Sequence, residues 1–152
     1  MRRRNFLIAP AGAAIGGPLF ARAQTDRMRR IGVLHGANAD NPGVQGRIAA
    51  FQEGLQQFGW IAGRNVQIDY HWGAGNPDDI QRYATEMAAL APDVILTAGN
   101  SVEQLLRATR TIPIVFVIVP DPVGAGLVDS LSRPGGNATG FTLACARNGR
   151  RC

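Results

Sequence analysis

The chain contains no lysine, and its only two cysteines, Cys145 and Cys152, stand within the last eight residues. A body without cysteine and with only two histidines excludes a thiol nucleophile, a disulfide framework and a zinc site of the Cys/His type. In an oxidising compartment the two cysteines could pair or cross-link two chains. We instead interpret them as part of an irregular end without a structural role.

Positive charge is scarce between the two ends of the chain. The net charge is +5, but residues 1–23 hold four arginines and no acid, and the last six residues hold three more. Residues 24–144 carry nine arginines against eleven acids, a balance of −2. No basic surface is left to bind a phosphate backbone, so a nucleic-acid partner is excluded.

Common catalytic motifs are also missing. The chain has no G-x-S-x-G elbow and no G-x-x-x-x-G-K-[ST] phosphate loop, and the sequence GANAD stands where a dinucleotide fingerprint would follow the first predicted strand. No group of residues assembles a nucleophile, a base and an orienting partner. The sequence therefore predicts a binding protein rather than an enzyme, without catalytic residues, metal or cofactor.

The first 23 residues have the pattern of an export signal. Arg2–Arg4 form a positive start, an apolar stretch interrupted by glycine and proline follows, and Ala21-Arg22-Ala23 predicts cleavage before Gln24. Arg3–Leu7 match the twin-arginine pattern R-R-x-F-L. A membrane anchor needs roughly 20 apolar residues, and this apolar stretch is too short and too rich in glycine and proline. We therefore predict a cleaved twin-arginine signal peptide and a periplasmic protein. The general secretory route remains the alternative.

Strand and helix patterns alternate along residues 24–143. The strands are predicted at 30–35, 65–71, 94–97, 112–119 and from 138, and the helices at 44–58, 76–90, 101–109 and 126–131. The strand at 112–119 is almost wholly apolar, which predicts cover on both of its faces. The alternation predicts an α/β domain, a doubly wound parallel sheet of flavodoxin-like type.

Ligands of such sheets bind beyond the carboxyl ends of the strands, which singles out three loops: His35–Pro42, Ala98–Ser101 and Pro120–Val123. Gly99, Asn100 and Ser101 open a predicted helix, where free N–H groups favour a carboxylate. Asn100 or Ser101 could instead cap that helix in a capping box.

Asp121 follows the most buried strand and could bind a ligand's amino group, or could simply initiate a turn before Pro122. His35 ends the first strand and is a weaker candidate for a polar contact with the ligand.

The order and spacing of several segments resemble a known family. These segments are the leader with Gln24, Ile31–Leu34, Phe51–Leu55 with Gly59-Trp60, Gly63–Trp72, Ile112–Phe116, Asp121–Leu127 and Leu131–Gly140. Together they resemble the periplasmic substrate-binding proteins of ABC transporters, in the subgroup related to binders of aromatic and branched amino acids. The resemblance extends from residue 1 to about residue 143.

The resemblance implies one lobe of a type I periplasmic binding protein, in which a small molecule binds between two hinged α/β lobes. It places Asn100, Ser101 and Asp121 at ligand-facing loop positions, and more loosely the His35–Asn38 loop. The implied partners are an amino-acid-like solute and an ABC permease in the membrane. Such proteins are about twice as long, so residues 24–143 are expected to be the first lobe and residues 144–152 an aberrant tail after truncation.

Two other functions stay open at this point. One is a small flavodoxin-like enzyme that binds a nucleotide at the same strand ends, and the other is an interaction module that pairs with another chain.

Overall fold

The computed structural model describes residues 27–142, which form one parallel five-stranded sheet with helices on both faces. The elements are β1 (Arg29–His35), α1 (Pro42–Gln57), β2 (Val66–Trp72), α2 (Pro77–Ala89), β3 (Val94–Ala98), a single 3-10 turn (Gly99–Ser101), α3 (Val102–Ala108), β4 (Ile114–Val119) and β5 (Ala138–Thr142). The predicted leader and tail lie outside these residues, as do residues 24–26 and residue 143.

The strands follow the order β2-β1-β3-β4-β5, and every neighbouring pair is parallel. The predicted doubly wound α/β fold is confirmed. The chain reverses its direction of travel across the sheet between β1 and β3, which is the place where such folds bind ligands.

Both long helices begin with an asparagine N-cap followed by a proline. Asn41 accepts hydrogen bonds from the backbone N–H groups of Gly43 and Val44, and Asn76 accepts one from the N–H of Asp78. A proline follows each asparagine, and its ring presets the backbone for the first helical turn. Helix α1 ends at Gln57, one residue before the predicted end at Phe58, and Phe58 is 83% exposed.

The main core lies between the sheet and the α2/α3 layer. It contains apolar side chains of β1, β3 and β4, with Met87 of α2 and Leu105 of α3 fully buried against them. Gly32 in β1 leaves room for Met87, because a side chain there would overlap its sulfur atom.

Two predictions about elements are wrong. Residues 126–131 do not form a helix: Gly126 has a left-handed φ of +69°, and the N–H of Leu127 reaches back to the carbonyl of Pro122. β4 is fully covered on one face only, with Phe116 buried and Val115 and Val117 half-buried. Among the described residues, only α1 lies on that second face. No helix within residues 27–142 is long and apolar enough to cross a membrane.

Candidate functional site

The candidate site lies at the carboxyl edge of the sheet, to which the loops after β1, β3 and β4 all belong. The loops after β1 and β2 are joined by two backbone hydrogen bonds, from Gly73 to His35 (2.8 Å) and from Gly75 to Gly36 (2.7 Å). The 3-10 turn after β3 packs against the end of β4. The fold therefore brings the predicted loops to one edge of the sheet, on either side of the reversal between β1 and β3.

Gly36 and Asn100 form the direct contact across that reversal. A Cβ atom on Gly36 would overlap the side-chain oxygen of Asn100, so a larger residue at this position would displace the Asn100 side chain. Asn100 is exposed, and it follows Gly99, which has a left-handed φ of +77° that favours glycine. Asn100 thus presents its amide group to the edge of the sheet, whereas Gly99 shapes the turn.

The hydroxyl of Ser101 is directed into the protein. It lies 2.7 Å from the hydroxyl of Thr97 and donates to the carbonyl of Ala98 at 3.2 Å, with the residue fully buried. No side chain caps α3, so the alternative in which Asn100 or Ser101 caps this helix is wrong. A 3-10 turn precedes α3 and places the Ser101 side chain below the surface, which leaves its backbone N–H as the group that a ligand could contact.

The loop after β1 is shaped by its own polar side chains. The ring nitrogen Nδ1 of His35 accepts a hydrogen bond from the N–H of Ala37 (3.0 Å), and Asn38 accepts one from the N–H of Asp40 (3.2 Å). The neutral His35 ring therefore carries its proton on Nε2, which is buried and has no partner among the described residues. Burial and, to a lesser degree, Arg47 lower the pKa of His35 and keep the ring neutral.

Asp121 closes a turn. Its carboxylate accepts a hydrogen bond from the N–H of Gly124 (2.8 Å), and its carbonyl accepts one from Ala125 (3.0 Å). The interpretation of Asp121 as a turn residue is confirmed. The side chain is nevertheless exposed, and a carboxylate can accept further hydrogen bonds. It can thus take part in ligand binding while it holds the turn.

Two features of this region were missed by sequence reasoning. The first is the close approach of Gly36 to the side chain of Asn100, a residue far away in the chain. The second is a cavity of about 420 Å³ between α1 and the sheet, with mostly apolar walls that include Phe51, Leu96 and Val117. His35 and Arg47 also line it. Within residues 27–142, no group of three or more His, Cys, Asp or Glu side chains could hold a metal ion.

Known proteins are similar to this chain in both sequence and fold. The family model for "ABC transporter substrate binding protein" matches residues 32–146. A tyrosine-binding protein of Clostridioides difficile is 29% identical over 120 residues, which cover 78% of this chain and 34% of that protein.

Two solved structures superpose on the lobe. A conserved domain protein of Vibrio cholerae gives a TM-score of 0.71 with 34% identity, over 76% of this chain and 39% of that one. An ABC domain from Streptococcus pneumonia in complex with L-Trp gives a TM-score of 0.69 with 29% identity, over 75% and 38%.

The chain thus spans about a third of the length of the curated relative and about two-fifths of the solved chains. The matched family consists of binding proteins rather than enzymes, which favours the predicted binder over the flavodoxin-like enzyme. The resemblance seen in the sequence is confirmed by a family model that matches most of the residues. This chain belongs to the family of ABC transporter substrate-binding proteins.

Proposed function

We propose that this chain is the first lobe of the solute-binding component of an ABC importer. In this role it binds an amino-acid-like solute in the periplasm and presents it to a membrane permease. The observation that carries the proposal is the contact of Asn100 with Gly36 at the sheet reversal, within a lobe that superposes on an L-Trp-bound relative. The tyrosine-binding relative supports the same class of solute.

The polar groups at this edge suit an amino acid. The amide of Asn100 and the backbone N–H groups of the turn Gly99–Ser101 would donate to the solute carboxylate, because the first N–H groups of a helical segment lack intrahelical partners. The exposed carboxylate of Asp121 would accept from the solute ammonium group. His35 and Asn38 would border the same edge from the loop after β1.

One lobe supplies only part of the contacts of a two-lobed site. Each hydrogen bond to a charged group contributes about 1.5–3 kcal/mol, and a solute held on one side stays in contact with water. We therefore expect L-Trp and L-Tyr to bind the chain with a dissociation constant of about 1 mM, or about −4 kcal/mol.

The test is a titration of the ¹⁵N-labelled chain with L-Trp, followed by NMR. The expected shifts are confined to the loops after β1, β3 and β4, and both Asn100→Ala and Asp121→Asn should weaken binding at least about fivefold. Arg64→Ala is the matched control, since this exposed residue lies in the loop between α1 and β2 at the other edge of the sheet. Shifts that persist unchanged in both site variants, or micromolar binding, would contradict the proposal.

A further inference from the structure

Two buried hydroxyl groups adjoin the turn that carries Asn100. The side-chain oxygens of Thr97, near the end of β3, and Ser101, the last residue of the 3-10 turn, lie 2.7 Å apart, and Ser101 donates to the carbonyl of Ala98 at 3.2 Å. Thr97 is 1% exposed and Ser101 is 0% exposed. A hydroxyl group has one proton to donate. Because Ser101 gives its proton to Ala98, Thr97 is the donor in the pair.

The place of Thr97 in the sheet suits an apolar side chain. Its partners on the neighbouring strands are Leu34 of β1 and Phe116 of β4, and both are fully buried in the core. Paired residues of a parallel sheet direct their side chains to the same face. Valine has nearly the shape of threonine and would bury no polar group between these two neighbours. Thr97 therefore has a hydroxyl where packing alone requires none.

The hydroxyl pair holds the end of the turn. Gly99 has a left-handed φ of +77°, and glycine adopts many backbone conformations, so Gly99 by itself does not fix the residue that follows it. Asn100 is exposed, whereas Ser101 beside it is fully buried. The hydrogen bonds of Ser101 tie the end of the turn back to β3. The direction of the Asn100 side chain is therefore set from the Ser101 side.

The other half of the contact is held by the backbone. Gly36 lies so close to the side-chain oxygen of Asn100 that a Cβ atom on Gly36 would overlap it. The carbonyl of Gly36 accepts a hydrogen bond from the N–H of Gly75 (2.7 Å), and the carbonyl of His35 accepts one from Gly73 (2.8 Å). A shift of the turn would thus move Asn100 away from a partner that stays in place.

We propose that Thr97 is a positioning residue of the candidate site. Its hydroxyl holds Ser101, and Ser101 holds the turn so that Asn100 meets Gly36 at the reversal of the sheet. A binding site needs its contacting side chains held to within about 0.5 Å, and hydrogen bonds behind those side chains provide this precision. The expected effect on solute affinity rests on the proposed function, whereas the position of Asn100 can be measured without a solute.

The test compares two variants of Thr97 in the full chain by urea unfolding and by NMR titration with L-Trp. Thr97→Val removes the hydroxyl and keeps the shape, so the unfolding midpoint should stay or rise while L-Trp binds about threefold to tenfold more weakly. Thr97→Ser keeps the hydroxyl and loses a methyl group, so the midpoint should fall while the affinity stays within about twofold. A merely structural role would change stability and affinity in the same order.

The position of Asn100 is measured in the free chain. A nuclear Overhauser contact between the Asn100 side chain and the α-protons of Gly36 should be present in the wild type and in Thr97→Ser, and weak or absent in Thr97→Val. A wild-type chain that does not bind L-Trp would count against the proposed solute. The contact in the free variants would still decide the role of Thr97.

Thr109→Val is the matched control. Thr109 is also buried, and its hydroxyl accepts a hydrogen bond from the N–H of Ile112 (3.2 Å) in the loop before β4, at the opposite edge of the sheet. This variant should lower the unfolding midpoint and leave both the Asn100 contact and the affinity unchanged.

Four results would overturn the inference. They are a wild-type chain without the contact between Asn100 and Gly36, a contact that persists in Thr97→Val, an equal loss of affinity in Thr97→Ser and Thr97→Val, and a loss of affinity in Thr109→Val as large as in Thr97→Val.

Discussion

At the residue scale, His35 combines burial with a missing hydrogen-bond partner. Its Nδ1 is occupied by the N–H of Ala37, and its Nε2 is buried without a partner among the described residues. Burial disfavours the charged ring, and the nearby Arg47 disfavours it further, so the folded pKa lies below the ordinary value of 6.5. In the unfolded chain the His35 ring is exposed to water, so neither effect lowers its pKa.

This difference predicts a dependence of stability on pH. Between the lowered folded pKa and 6.5, the unfolded chain binds a proton that the folded chain does not, so the free energy of unfolding falls as the pH drops below about 6.5. Urea unfolding at pH 7.5 and pH 5.5 measures the difference, and His35→Gln should reduce it. An equal difference in the variant would show that His35 does not contribute.

At the element scale, β5 is held against β4 by a close backbone approach. Gly140 is paired with Phe116, and a Cβ atom on Gly140 would overlap the backbone carbonyl of Phe116 and its ring. A backbone carbonyl within a strand cannot move aside as the end of a flexible side chain can. The pairing of the last strand therefore depends on glycine at this position.

We expect Gly140→Ala to lower the free energy of unfolding by about 1–3 kcal/mol, the usual cost of overpacking a core. Gly136→Ala is the control, since a Cβ atom there meets nothing within 4 Å. Urea unfolding of both variants measures the effect. Equal stabilities would show that β5 shifts easily and that its register is not fixed by this contact.

At the scale of the whole molecule, the predicted export signal would decide in which compartment the chain meets the proposed solute. The leader lies outside the described residues, so export remains a prediction from Arg3-Arg4 and Ala21-Arg22-Ala23. We expect a periplasmic chain that begins at Gln24, as fractionation and N-terminal sequencing would show. Full-length protein retained in the cytoplasm would contradict the prediction.

The export route has its own test. Arg3→Lys/Arg4→Lys should block export through the twin-arginine route, and Arg2→Lys is the matched control because Arg2 precedes the pair. Unchanged export of the double variant would indicate the general secretory route.

The sequence alone determined the class of fold, the family and the main elements. Helix starts at Asn41-Pro42 and Asn76-Pro77 depend on hydrogen bonds between neighbours, and the strands follow from local apolar patterns. Such signals are local, so they can be read without knowing the packing. The same holds for the choice of loops, because a parallel sheet brings the carboxyl ends of its strands to one edge.

Only the tertiary structure decided which side chains reach that edge. Ser101 bonds to Thr97 in the interior, and Gly36 accommodates Asn100 across more than sixty residues of chain. Local patterns also predicted a helix at 126–131, where hydrogen bonds from a turn and the left-handed Gly126 prevail. That Val115 and Val117 are only half-buried is likewise invisible in the apolar sequence of β4. The apolar sequence of a strand shows only that burial of its side chains is favourable. Which helices bury them is decided by elements distant in the chain.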